Sequence, residues 1–343
     1  MRRLAFVLPL ILAPCMAHAE EPAAELAPHE LALQRAREVL LACAEHRALD
    51  PAAKARPHYS PEDVAFAWLA LRATGWTPTK RARSVAEYAL PTEKDPNGGI
   101  TRYVAARVLL AHIAPETPAP SGWLEQLGRL RISRVAWRVF QDANWMSLGS
   151  TLWACLALHA RSGDSAMARE LRDWQLERFA ATQLRTGAWS KESLADPPPR
   201  ALHSKREDES LIVSLYAAAQ VGLAQSADDA PTVRTVPRRR VAAFARSRFR
   251  RRAPWSLGGV QPIERRGLED ALAYVVLMRT QGCDDRLWFD DLAARLVATQ
   301  KPDGSWGESS AVDPPGLPDV ISTAIGVLIL ARPSGIVLPA SSK

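Results

Sequence analysis

Cysteine is scarce in this chain. Its 343 residues include four, at positions 15, 43, 155 and 283, and no two form a C-x-x-C pair. That spacing excludes a disulfide framework and a four-thiolate zinc site. Cys43 and Cys155 stand in Ala/Leu-rich text and read as small core residues. Strands of alternating apolar and polar residues are also scarce, so a β architecture is not expected. Aromatic residues make up 7%. No glycine-rich phosphate loop is present. Beyond the first nineteen residues, no apolar run reaches the ~20 residues that a spanning helix needs.

What is present begins with a leader. "MRRLAFVLPLILAPCMAHA" has Arg2 and Arg3, an apolar stretch from Leu4 to Pro14, and a small-x-small end at Ala17-His18-Ala19. It reads as a secretory signal over residues 1–19, so a periplasmic or secreted protein is expected. A lipid anchor on Cys15 fits less well, because Pro14 stands where a small residue belongs. The net charge of +7 is concentrated locally. "RTVPRRRVAAFARSRFRRR", residues 234–252, holds nine arginines, and acids nearly balance bases elsewhere. The hydrophobic content of 47% supports a full globular core.

Helical text fills the remainder. Six mostly apolar stretches are expected to stop at Gly75, Pro115, Gly163, Gly222, Gly282 and Gly335. A more polar helix precedes each, beginning near Glu30, Thr79, Gly122, Ala166, Pro237 and Trp288. The repeating unit is therefore a helix pair of roughly 40–60 residues, within the range of helical repeats. The second helix of each pair is apolar nearly all round, which requires burial on most sides. Six such helices inside a ring of six others meet that requirement. One domain is expected over residues 20–335, with a short tail at 336–343.

Two stretches repeat a phrase. "ERFAATQLRTGAW" and "DLAARLVATQKPDGSWG" each end a helix in glutamine, turn at a glycine, and close on a tryptophan. "AWRVFQDANW" and "FRRRAPWSLGG" are looser copies, and "EKDPNGGI" occupies the same slot in the second unit. These resemble the QW motif of the terpenoid cyclase and protein prenyltransferase superfamily. The resemblance implies an all-α, α6/α6 toroid with a central cavity. The residues themselves suggest a joint: Gln183 and Gln300 can bond orphan backbone groups, and Trp189 and Trp306 offer a large apolar body with one N–H.

In such a ring the amino ends of the inner helices gather at one mouth, whose dipoles favour acids. Acids stand there: Glu62 and Asp63, Glu207, Asp208 and Glu209, Glu269 and Asp270, and Asp319. Helix capping alone accounts for any one of them, at about 0.3–1 kcal/mol each. As a cluster they are candidates for chemistry. In the cyclases that the chain resembles, D-x-D-D-T-A opens an inner helix, and its middle aspartate is the acid. "REDES" puts Asp208 in that slot with Glu209 after it, and "DVISTA" keeps Asp319, Thr323 and Ala324. Asp208, Glu209 and Asp319 are thus the candidate catalytic groups. Asp63 and Asp270, with Trp68, Tyr103, Trp153, Tyr216 and Tyr274, are the candidate cavity lining. The prenyltransferase zinc set has no counterpart, so no metal and no cofactor are expected.

The arginine-rich stretch reads as an outer helix with Val241, Ala242, Ala245 and Phe249 near one face. Arg238, Arg239, Arg240, Arg250, Arg251 and Arg252 on the rest form a solvated face or dock on anionic lipid. Nucleic acid is not an expected partner of an exported protein. Three functions fit the sequence: binding of an apolar or extended ligand, or of a partner, in the cavity; an isoprenoid cyclase using Asp208; or a polysaccharide lyase or hydrolase on the same toroid.

Overall fold

The computed structural model describes residues 27–47, 58–90, 100–133, 136–143, 146–194, 210–226, 240–241, 243–244, 247, 264–283, 288–307 and 317–332. Eleven α-helices run through them: α1 (Pro28–Ala44), α2 (Pro61–Ala73), α3 (Lys80–Ala89), α4 (Thr101–Ile113), α5 (Trp123–Leu130), α6 (Leu148–Arg161), α7 (Ala166–Thr182), α8 (Leu211–Ser226), α9 (Arg265–Thr280), α10 (Phe289–Thr299) and α11 (Val320–Ala331).

The apolar helices close a ring. α2 packs on α4, α4 on α6, α6 on α8, α8 on α9, α9 on α11, and α11 back on α2. Outer helices sit across the seams, α1 against α11 and α2, and α7 against α6 and α8. This explains the all-round apolar sequences. Every residue of α11 from Val320 to Leu330 is buried, as is every residue of α9 from Gly267 to Met278. One side faces the outer ring and the other faces the axis. The expected all-α toroid of paired helices is the fold.

Two contacts cross the ring between inner helices that are not neighbours in it. Phe66 of α2 meets Trp153 of α6 edge-on, with ring centroids 4.9 Å apart. α6 also touches α9 across the ring.

Helix ends follow the expected stops with one exception. α4 ends before Pro115 and α6 before Gly163, while α2 and α9 end just before Gly75 and Gly282. α8 runs through Gly222 to Ser226. There the missing side chain lets α9 approach, because a Cβ would collide with the Thr280 hydroxyl. α11 ends with Arg332 in the left-handed conformation, φ 46°. Gly335 lies outside the described residues. A small antiparallel sheet between α5 and α6 was not anticipated: β1 (Arg131–Ser133), β2 (Ala136–Arg138) and β3 (Met146–Ser147), in the order β1-β2-β3. Its strands are two or three residues long, too short for alternation to register.

The repeated phrase is a joint of constant geometry. The indole N–H of Trp189 donates to Phe179 O at 2.9 Å, and that of Trp306 to Leu296 O at 2.8 Å. The backbone N–H of each tryptophan donates to a hydroxyl on the next inner helix, Ser214 at 2.7 Å and Thr323 at 3.2 Å. Trp137 repeats both bonds, to Leu127 O at 2.9 Å and from its N–H to Thr151 at 3.0 Å. In the third unit Trp137 therefore takes this place, not the last tryptophan of "AWRVFQDANW"; Trp145 lies outside the described residues, as does "FRRRAPWSLGG". Gln183 Nε2 and Gln300 Nε2 bridge their turns to Gly187 O and Gly304 O at 3.1 and 2.9 Å. Both glycines have positive φ, 88° and 85°, which the turn requires.

The last joint does more than the others. Gln300 Nε2 also donates to Ala32 O of α1 at 2.8 Å. Gly304 lies so close to α1 that a Cβ would stand 2.7 Å from Arg35 O. The sixth unit is thereby fastened to the first. Gln300→Ala should destabilise the fold by about 1–3 kcal/mol through two lost bonds, and more than Gln183→Ala, which loses one. Trp306→Ala should cost about 3–5 kcal/mol. Urea unfolding measures both, and equal losses at Gln183 and Gln300 would show that the bond from Gln300 to Ala32 contributes nothing.

Candidate functional site

The amino ends of the inner helices converge, and two arginines join four of them. Arg102, in the first turn of α4, places its Nε 3.5 Å from Glu62 Oε1 of α2 and its NH1 3.3 Å from Glu269 Oε1 of α9. Arg265, opening α9, reaches Asp319 Oδ1 at 2.9 Å, before α11. Glu269 and Asp319 are 5% and 3% exposed, so these charges are stable only as paired groups. Burial raises the Glu62 pKa above the ordinary carboxylate range; Arg102 and Arg265 oppose the rise, and Asp63 and Glu269 add to it. For Arg102, burial works to lower the pKa, but Glu62 and Glu269 outweigh it and the net shift is upward.

Glu269 has a second neighbour. Its carboxylate lies against Gly149 in the first turn of α6, where any Cβ would collide with it. The carboxylate thus rests beside the positive end of a fourteen-residue helix.

Beside this layer is a cavity of about 650 Å³. Its floor is formed by Gly149, Val213, Tyr216, Glu269 and Asp270, all buried. Its rim carries Lys191, Arg266 and Met146, all exposed. Val139, Leu148, Leu194 and Ile212 form apolar walls. The Tyr216 hydroxyl donates to Asp270 Oδ1 at 2.8 Å. Burial and then the Asp270 charge push the Tyr216 pKa well up, so the phenol stays a donor. Arg102 and Arg265 line the cavity too, each bound to a carboxylate, so carboxylates and paired guanidiniums stand at depth and Lys191 and Arg266 at the exposed edge.

The predicted residues divide. Asp270 and Tyr216 meet in this cavity. Asp319 caps α11, accepting from Ser322 N at 2.9 Å and from Ser322 Oγ at 2.6 Å while paired with Arg265. Asp63 forms a capping box with Ser60, accepting from its N–H at 2.9 Å and its hydroxyl at 2.8 Å. Both serve as helix caps. The aromatic candidates do not share one chamber. Trp153 packs on Phe66 at 4.9 Å, Tyr274 packs on Trp288 at 5.5 Å, and the Tyr103 hydroxyl accepts from buried Arg107 at 2.9 Å. Trp68 packs on Trp76 at 5.3 Å, beside a separate cavity of about 600 Å³ next to α3.

Asp208 and Glu209 lie outside the described residues, as do Arg238, Arg239, Arg250, Arg251 and Arg252. Arg240 is exposed, while Val241 and Phe244 beside it are buried. Among the described residues, no group of three or more His, Cys, Asp or Glu side chains could hold a metal ion.

Sequence reasoning passed over Arg102, Arg265, Arg266, Lys191 and Gly149. A signal existed for three of them. "TRY" and "ERRG" place cations in the first turn of apolar helices, where the dipole disfavours them. Such cations imply a facing carboxylate or ligand.

No protein-family model matches the chain, and no curated protein matches it. Its fold is similar to solved structures. An unsaturated glucuronyl hydrolase specific for heparin superposes with a TM-score of 0.51 at 12% identity, covering 89% of this chain and 96% of that one. A type II terpene cyclase from Scytonema, solved with geranylgeranyl dihydroxybenzoate, gives 0.42 at 15% identity, covering 92% and 100%. A protein from Actinoplanes gives 0.43 at 14%, covering 88% and 99%. At 12% identity the likeness to the hydrolase is one of fold alone.

Arg102→Met should destabilise the protein by about 3–5 kcal/mol, because it leaves Glu62 and Glu269 buried without their cation. Glu62 predicts a pH dependence. Its folded pKa is raised, so the stability it contributes is present below the unfolded pKa and is lost as pH rises through the folded one. Glu62→Gln should therefore gain stability relative to wild type as pH rises above the ordinary glutamate pKa of about 4.3. Urea unfolding at several pH values checks this, and a constant difference would contradict it.

Proposed function

We propose that this toroid binds an acidic, hydroxyl-rich molecule, of the class of a uronate-bearing saccharide, at the amino-terminal mouth of its inner ring. One observation carries the reading: the cavity of about 650 Å³ has Asp270 and Glu269 at its floor, with Arg102 and Arg265 bound to carboxylates there, and Lys191 and Arg266 at its exposed rim. Sugar hydroxyls donate to floor carboxylates, a sugar carboxylate pairs with rim cations, and ring faces pack on Ile212, Val213 and Met146. The volume suits one or two sugar rings. The glucuronyl hydrolase of similar fold is named for such a substrate, but at its identity that likeness adds only the fold. We further propose export, on the leader at residues 1–19, and kinship with the terpenoid cyclase toroids, on the Gln-Gly-Trp joints.

The isoprenoid reading has less support. Carbocation chemistry needs an aromatic-walled chamber. Of the five candidate wall residues, only Tyr216 lines the mouth cavity.

Isothermal titration with a glucuronyl-glucose disaccharide, a neutral disaccharide and a long-chain isoprenoid acid tests the proposal. The acidic sugar should bind at least tenfold more tightly than the neutral one. Exchange of both Lys191 and Arg266 for glutamate should remove that advantage. Binding of the isoprenoid alone, or of none of the three, would overturn it.

A further inference from the structure

Glu269 is an anion held where two features favour negative charge. The first turn of a helix attracts negative charge, and a guanidinium beside it strengthens the attraction. The mouth contains both: the amino end of α6 at Gly149, and Arg102. Glu269 Oε1 is 3.3 Å from Arg102 NH1, and the carboxylate fits into the space left by the missing Gly149 side chain. Its side chain is 7% exposed, and it lines the cavity. Asp270, the next residue, adds a second acid at the same depth and holds the Tyr216 hydroxyl at 2.8 Å.

We infer that Glu269 is a specificity-determining residue that fixes the polarity of the bound ligand, with the hydroxyl-bearing end at the floor and the acid group at the rim. The inference rests on the reading of this cavity as a site for an acidic saccharide, and it adds a directional rule. A ligand with an acid group at one end only can satisfy both layers. A ligand with acid groups at both ends must bring one against Glu269 and Asp270, where Arg102 and Arg265 are already taken by Glu62, Glu269 and Asp319; acids outnumber cations in that layer, and like charges repel. Gly149 is part of the device, since any larger residue displaces the carboxylate from α6.

The test compares glucuronyl-glucose with the same disaccharide carrying a sulfate on its glucose. Wild-type protein should bind the singly charged sugar at least tenfold more tightly. Glu269→Gln should shrink that preference to threefold or less by strengthening binding of the sulfated sugar, with Glu269→Ala acting in the same direction. Circular dichroism verifies that each variant is folded. The wild-type comparison needs no variant: equal affinity for the two sugars overturns the inference and leaves the site reading intact. So does a preference that persists unchanged in a folded Glu269 variant. Failure of wild-type protein to bind either sugar overturns the site reading and the inference with it.

Discussion

The contact between the sixth unit and the first is the constraint on which the rest depends. Gln300 bonds both its own turn and Ala32 of α1, and Gly304 lies against the α1 backbone. Closure turns a row of helix pairs into a ring. A closed ring has no end units to cap, so apolar helices can be covered on every side. It also holds six helix starts at one mouth. That grouping of positive helix ends is the electrostatic problem that the mouth residues resolve. Glu269 and Asp319 meet the dipoles of α6 and α11, and Arg102 and Arg265 then neutralise the buried carboxylates. Site and fold thus share their charges.

Much of the architecture was legible in the sequence, for a physical reason. Helices buried on both faces must be apolar all round, and α2, α4, α6, α8, α9 and α11 coincide with the six stretches chosen on that ground. Gln-Gly-Trp is also legible, because a left-handed turn needs glycine and a buried indole needs an acceptor. The same cue failed at Trp137, where the sheet intervenes between helix and tryptophan and no glutamine-glycine turn is present. The glycine stop signal failed at Gly222, which lies within α8 and provides room for α9.

The site was less legible, because its pairs join residues far apart in sequence. Arg102 and Glu269 stand 167 positions apart, and Tyr216 and Asp270 stand 54 apart. Position in a helix identified the acids, but it could not separate caps from cavity residues. Asp63 and Asp319 turned out to cap, whereas Asp270 turned into the cavity. The aromatic count misled for a similar reason. Where inner helices pack directly on their neighbours, large side chains fill the space between them instead of lining one chamber.

The central claim is that ligand binds at the amino-terminal mouth rather than on the axis or the outer ring. Methionine methyl groups report this directly. Met146 lines the mouth cavity, Met167 is exposed on α7, and Met278 is buried near the other end of α9. In an NMR titration of ¹³C-methyl-methionine protein with glucuronyl-glucose, binding at the mouth should give a saturable shift of Met146 with Met167 and Met278 unmoved. A shift at Met167 or Met278 without one at Met146 would contradict it.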